Sequence, residues 1–527
     1  MIKKAFDTPL TGLLFLLCLL CASFLRFSNI ETIFTESDDI GLLCMHKSQP
    51  AKIKHHELLN IGPLKLNVES DGDWLKENAL GSPFFPLQIA WVWTYPIGQY
   101  CIHPFLLKES DPYLKKLFWG RAISAIISIM GLVFFVYFMY LLNGTLNASS
   151  LIPFGFMSFS YNHVLYSHHM GPYALSSTCM IITLILVLLF VQNRLSSIKL
   201  SVALAFLSYF NYLTILCLPL IASLWIIIHK ENLRNHIKTI FWCIASYAFI
   251  TAPLYFLFFK PASGMRGDSP PDSGLFQTVF YSITQFSKAA GSVLASFSSN
   301  ETFNAILALC FLVIIILVLS KPKILNQNQQ YTAIFSVGFL FLWVILHTQK
   351  KITMTDSRHV LCWLPILCTW IFLFLNNFNS RKIKLVYTIL FLTMCLFGVK
   401  NNIEILKSKK SNFDYRVIDN QNINTIICYD NSLDPLAYYA NDKDKDVYYL
   451  NTLAINDIKV DLPKEILVVS QHSSLTKFKD TFEIFDYLSS YTNRSVIKEI
   501  YSETTFTFNN SNTACYRNGF YLYRFSK

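Results

Sequence analysis

The stretch 174–192, ALSSTCMIITLILVLLFVQ, decides the fold class, because it runs nineteen residues without a charge. A helix of that length rises about 28 Å, close to the ~30 Å hydrocarbon core of a bilayer. Comparable apolar segments occur at 8–27, 118–142, 150–166, 200–212, 213–229, 239–259, 303–320, 331–348, 359–376 and 384–399, about eleven in all. The composition agrees, with 53% hydrophobic residues and 15% charged, against roughly 25% charged in a soluble domain. Disorder is excluded, since it needs low hydrophobicity and high charge. A soluble enzyme does not fit, because it could not hide so many long apolar runs. The expected fold class is an α-helical polytopic membrane protein of about 11 transmembrane helices.

The stretch 200–229 is too long for one crossing and short for two. It reads as two short helices turning near Asn211–Tyr212, with one long tilted helix as the alternative. The first segment follows Lys3 and Lys4, as a signal peptide would. Bulky Phe24, Leu25, Arg26 and Phe27 offer no cleavage site, so it reads as an uncleaved anchor helix.

Orientation follows the basic residues of the short loops. With the N-terminus inside, Arg194 and Lys199, then Lys230, Arg234 and Lys238, then Lys321 and Lys323, then Arg381, Lys382 and Lys384 all fall on the cytoplasmic side. One outer loop, 349–358, breaks the rule with Lys350, Lys351 and Arg358. The formal net charge of +11 thus reports topology and implies no nucleic-acid partner.

The long first loop, 28–117, faces outward. Its part 83–107 is rich in aromatics and proline, and reads as one or two helices on the outer leaflet. The loop 260–302 is intermediate in length. The domains expected are a membrane domain, 1–400, and a small soluble C-terminal α/β domain, 401–527, on the outer side. Strands are expected at 423–429, 447–450, 465–470, 495–501 and 519–525, and helices at 432–440 and 481–491. Nine of the thirteen cysteines lie in apolar segments, where they act as small hydrophobes. The remaining four allow Cys428–Cys515 and Cys44–Cys101 as pairs, or unpaired thiols.

Several residues at the outer surface could carry chemistry. Asp38 and Asp39 follow the first helix, where a carboxylate can act as a general base or cap a helix. Arg121 opens the second helix and Arg358 precedes His359 at the tenth. Each guanidinium suits a phosphate, or equally a lipid headgroup. His168 and His169 precede Pro172-Tyr173 at the start of the fourth helix. Adjacent histidines on a helix point about 100° apart, which disfavours joint metal chelation. Asp71-Gly72-Asp73 is a turn pattern as much as a metal motif.

The order of these features resembles the GT-C polyprenyl-phosphate-sugar transferases, including protein O-mannosyltransferases and the lipid A aminoarabinose transferase. The family's Asp-Glu pair after the first helix is matched by Asp38-Asp39, with Asp replacing Glu. Ser82-Pro83-Phe84-Phe85-Pro86-Leu87 is similar to its membrane-surface helix, and Arg121-Ala-Ile-Ser124 to the opening of its second helix. Its Ser-Arg-x-x-Arg-Pro-Tyr-Ala-Leu loop is matched at Ser167, Pro172, Tyr173, Ala174 and Leu175. His168 and Gly171 replace the two arginines. Arg358-His359 and Pro365 resemble a late Arg-Tyr before a proline-containing helix.

The resemblance implies an inner-membrane glycosyltransferase with its active site on the periplasmic side. The donor would be a polyprenyl-phosphate-linked sugar held among membrane lipid, and the acceptor a lipid, glycan or protein. Asp38 would be the base and Asp39 would orient it. Arg121, His168, His169, Tyr173, Lys350, Lys351 and Arg358 would bind the donor phosphate. Some members that use a pyrophosphate donor employ a divalent metal, and no ligand set in this chain points to one. The alternative is a multi-pass transporter or lipid flippase, which accounts less readily for the long first loop and the soluble tail.

Overall fold

The structure is a computed structural model. It describes residues 5–28, 30, 113–169, 173–229, 237–254, 274–295, 301–349, 352, 354, 359–378, 380–412, 418–419, 421–428, 445–449, 462–470, 490–507 and 515–527. The segment 83–107, the pair Cys44 and Cys101, and the helices expected at 432–440 and 481–491 lie outside these residues.

Within the described residues, each apolar segment found in the sequence is helical over most of its length. The helices are α1 (Pro9–Phe27), α2 (Tyr113–Asn143), α3 (Leu151–Phe159), α4 (Tyr161–Ser167), α5 (Tyr173–Val191), α6 (Ser197–Phe210), α7 (Leu218–His229), α8 (Ile237–Leu254), α9 (Leu275–Ala295), α10 (Glu301–Leu319), α11 (Gln327–Thr348), α12 (Trp363–Asn377) and α13 (Arg381–Asn412). Among the described residues, five helical stretches are long and apolar enough to cross a membrane: Pro9–Phe27, Phe118–Asn143, Tyr173–Val191, Gln327–Thr348 and Arg381–Lys400. Six further apolar helices are shorter. Large apolar side chains such as Phe24, Phe249, Val386 and Leu396 point outward. That is the surface of a helical protein embedded in a membrane, where the surrounding medium is hydrocarbon.

α12 forms the centre, with every residue from Trp363 to Leu375 buried. A helix that is apolar all round belongs inside a bundle. α6 and α7 turn back on each other at Asn211, as expected, for Trp225 Nε1 donates to Ser197 Oγ at 3.0 Å.

The loops sort to two ends. At the first end, Leu146 pairs with Ala5 and Asp7 through backbone bonds of 2.8 and 2.9 Å. Asn147 donates to Asn376 at 2.8 Å, and Gln192 to the Leu141 carbonyl at 3.1 Å. Gln329 reaches Asn143 at 3.4 Å. Ala5, Asp7 and the chain around Asn143–Asn147, Gln192, Gln329 and Asn376 therefore share one end.

Two features depart from the sequence reading. The segment 150–166 is not one helix but breaks at Ser160 between α3 and α4. Inside 260–302, α9 is a regular helix. Its Ser282 meets His347 at 2.9 Å, and its Phe286 ring lies 4.9 Å from that of Trp363. These partners sit at the end of α11 and the start of α12, so the middle of α9 is level with the second end of the bundle. Phe276, Phe280 and Ile283 are exposed on it while Ser282, Ala289 and Val293 are buried. An amphipathic helix so placed suits a membrane interface.

α13 continues past residue 400 to Asn412. The tail holds a five-stranded sheet, with β1 (Thr425–Cys428), β2 (Asp446–Tyr449), β3 (Glu465–Ser470), β4 (Asn493–Thr507) and β5 (Cys515–Ser526) in the order β2-β1-β3-β5-β4. β2, β1 and β3 are parallel, while β5 is antiparallel to β3 and β4. Neighbouring Ile426 and Ile427 are both fully buried, so both faces of β1 are covered. All five expected strands are present. The Cys428–Cys515 pairing is not. Cys428 is level with Val469, and Val469 with Leu522, seven residues along β5 from Cys515. That is about 23 Å at the rise of a strand, far beyond the ~7 Å reach of a disulfide.

Candidate functional site

The second end of the bundle gathers the sequence-derived site residues that the structure describes. α2 presents Arg121, Ser124 and Ser128 at spacings of three and four, which places them on one face. All three are buried. Arg121 Nη1 donates to the Ile30 carbonyl at 2.8 Å, tying the top of α2 to the chain just after α1.

α4 packs against α2 and leads to His168 and His169. Ser128 Oγ lies 3.4 Å from His163 Nε2. Arg121 lies about 10 Å from Ser128 along α2, and His168 about 7 Å from His163 along the antiparallel α4. Arg121 and the two histidines thus reach nearly the same level. His168 and His169 are both buried, at 1% and 2% exposure.

Aromatic contacts connect this point to two more segments. Tyr166 lies 5.5 Å from the His169 ring and 5.1 Å from that of Tyr173. Tyr173 meets His359 at 6.0 Å. Leu361 packs beneath Tyr166 and Tyr173. Residues from α4, α5 and the start of α12 therefore form one ring cluster, with Arg121 on the helix beside it. Imidazoles, phenols and a guanidinium together offer donors suited to an anionic oxygen.

No carboxylate lies on α1, α2, α4, α5 or α12. Asp38, Asp39, Lys350, Lys351 and Arg358 fall outside the described residues. Among the described residues, no three His, Cys, Asp or Glu side chains stand close enough to hold a metal ion.

A second buried polar centre escaped the sequence reading. Arg26 is fully buried at the end of α1. Its Nε donates to Ser128 Oγ at 2.8 Å, and its Nη1 to the carbonyls of Ala22 at 3.0 Å and Ser158 at 2.9 Å. Its Nη2 reaches the Met157 carbonyl at 3.4 Å and His163 Nδ1 at 2.9 Å. These contacts occupy all five guanidinium N–H groups.

The break at Ser160 explains this centre. It leaves the last carbonyls of α3 without intrahelical donors, and a bilayer supplies no water to replace them. Arg26 serves two of them, and Asn402 Nδ2 serves Phe159 at 3.0 Å. A cation at a helix C-terminus also complements the macrodipole. His163 Nδ1 lies 2.9 Å from Arg26 Nη2 and 3.0 Å from the Met157 carbonyl, and its Nε2 faces Ser128. The centre therefore reads as a clamp joining α1, α2, α3 and α4. A charged residue inside an apolar run was the available signal.

Comparison with protein-family models, curated proteins and solved structures finds no match to this chain.

Proposed function

We propose that the chain is a membrane glycosyltransferase that moves a sugar from a polyprenyl-phosphate carrier to an acceptor on the outer membrane face. The supporting observation is the convergence of Arg121, His168, His169, Tyr173 and His359 at one end of the bundle. Sequence reasoning drew Arg121, His168, His169 and Tyr173 from two separate segments as phosphate ligands, and packing adds His359 from a third. The reading assigns eleven crossings, an inner-membrane location, and a periplasmic site and tail.

In this reading the acceptor hydroxyl attacks the anomeric carbon of the donor. The new C–O bond forms as the bond to the phosphate oxygen breaks, and Asp38 takes the acceptor proton. One base and direct displacement invert the anomeric centre. The departing polyprenyl phosphate gathers negative charge, which preorganised cations and donors stabilise. Arg121, His168, His169 and Tyr173 supply those donors, with Lys350, Lys351 and Arg358 adding positive field. Asp39 orients Asp38 or the acceptor. Burial among apolar helices strengthens each electrostatic contact relative to water.

The test is binding of a short-chain polyprenyl phosphate to detergent-purified protein. Wild type binds it, and His169→Ala and Arg121→Lys bind it at least tenfold more weakly. Equal binding by all three removes this site from the account. Binding of a polyprenol as tight as that of its phosphate favours a lipid transporter instead.

A further inference from the structure

We propose that Arg26 and His163 are positioning residues for the candidate phosphate site. Without touching the phosphate, they fix Arg121 and the His168–His169 pair relative to one another. What the site binds rests on the transferase reading, whereas the brace rests on geometry alone.

α4 depends on contacts from outside. It is seven residues long, and the backbone at Ser160, with φ −53° and ψ 120°, uncouples it from α3. Two turns of helix have little stability of their own, so packing must hold them. Within itself the segment is continuous. The Val164 N–H donates to the Ser160 carbonyl at 2.9 Å, the His168 N–H to Leu165 at 3.0 Å and the His169 N–H to Tyr166 at 3.4 Å. Whatever holds the start of α4 therefore carries the two histidines with it.

The last turn of α1 supplies that hold twice. Leu25 packs on Val164, and the next residue, Arg26, brings Nη2 within 2.9 Å of His163 Nδ1. The same guanidinium donates through Nε to Ser128 Oγ at 2.8 Å. Ser128 stands two turns from Arg121 on the same face of α2. One side chain thus touches both helices that carry the phosphate donors. Ser128 Oγ and His163 Nε2 close the triangle at 3.4 Å. Arg26, Ser128 and His163 are all buried, so no water competes for these contacts. The planar fork of a guanidinium fixes angles as well as distances, which an ammonium does not. Site groups that must stay within about 0.5 Å of their working geometry need such a supporting layer.

The experiment pairs two readouts on the purified full chain. One is binding of a short-chain polyprenyl phosphate. The other is carbethoxylation of His168 and His169 by diethyl pyrocarbonate, read by mass spectrometry. His163→Leu removes the link, and His163→Phe does so with the ring kept, should His163→Leu not fold. His163→Asn retains a polar atom near the place of Nδ1. Loss of the link should weaken binding about tenfold, within the ~100-fold that a 1 Å misplacement can cost. His163→Asn should recover most of that loss. In a chain carrying His168→Ala and His169→Ala, His163→Leu should weaken binding further by less than about twofold, because residues that act through one another are not additive. Losses that multiply in full, or no recovery in His163→Asn, overturn the positioning role.

Labelling separates the brace from the transferase reading. His163→Leu and Arg26→Lys should label His168 and His169 several-fold faster than wild type. His347, fully buried at the same end but on α11, should keep its wild-type rate. Unchanged labelling of the pair, or an equal rise at His347, overturns the brace. The expected labelling with no phosphate binding by wild type upholds the brace and defeats the transferase reading.

Discussion

Arg26 Nη1 lies 2.9 Å from the Ser158 carbonyl, joining the end of α1 to the break between α3 and α4. Arg26→Met removes all five donors and leaves buried carbonyls unpaired, at about 1–3 kcal/mol each. Arg26→Lys offers three donors in place of five and recovers only part of the loss. Thermal unfolding in detergent should rank wild type above Arg26→Lys and Arg26→Lys above Arg26→Met. A melting temperature unchanged in Arg26→Met would show that the clamp is dispensable.

The carbonyl of Phe159 makes a second demand on the same break. A Cβ on Gly398 would lie 2.7 Å from that oxygen, against a backbone atom with little room to move. At Gly338 the nearest obstacle, 2.8 Å away, is the flexible end of Leu220. Gly398→Ala should therefore destabilise by about 1–3 kcal/mol, and Gly338→Ala by less. Denaturation of the two variants side by side decides it, and the reverse ranking would refute the close packing of α13 on α3.

The Tyr173–His359 contact gives a prediction at the candidate site. Aromatic pairs contribute about 0.5–1.5 kcal/mol beyond their burial. Tyr173→Ala should lower affinity for polyprenyl phosphate about tenfold, while Tyr173→Phe, which keeps the ring contact and loses only the phenol donor, should fall between Tyr173→Ala and wild type. Equal binding by Tyr173→Ala and wild type, at matched abundance, would place the phosphate elsewhere.

Sidedness has its own check. If the N-terminal end is cytoplasmic, α13 delivers the tail to the outer face. Alkaline phosphatase fused after Lys527 should then be active in a bacterial inner membrane. An inactive but intact fusion would reverse the assigned orientation.

Much of the helical layout was legible because apolar run length is a local property. The segments 174–192 and 331–348 needed no tertiary information. The sheet was legible at 465–470, where EILVVS became β3 without change of bounds. Arg26 was not, because its role depends on carbonyls freed at Ser160, far along the chain. The polar run Ser158-Phe-Ser160-Tyr-Asn-His163 hinted at a break, but an apolar window averages it away. α9 was missed for a related reason, since its apolar residues occupy one face only and Gln277, Ser282, Gln285 and Lys288 interrupt any long apolar run. At the candidate site, Tyr173 and His169 were found from local order along the chain. Tyr166 was not, because only packing shows that it bridges them.

The most direct measurement is transfer of a radiolabelled sugar from a polyprenyl-phosphate donor in membranes expressing wild type, Asp38→Asn or Asp39→Asn. The account predicts transfer by wild type, loss of at least a hundredfold in Asp38→Asn at normal abundance, consistent with the ~10²–10⁴-fold contribution of a general base, and a smaller loss in Asp39→Asn. Wild-type transfer that both variants preserve would contradict the assigned base, and no transfer by wild type across a panel of donors and acceptors would contradict the transferase reading itself.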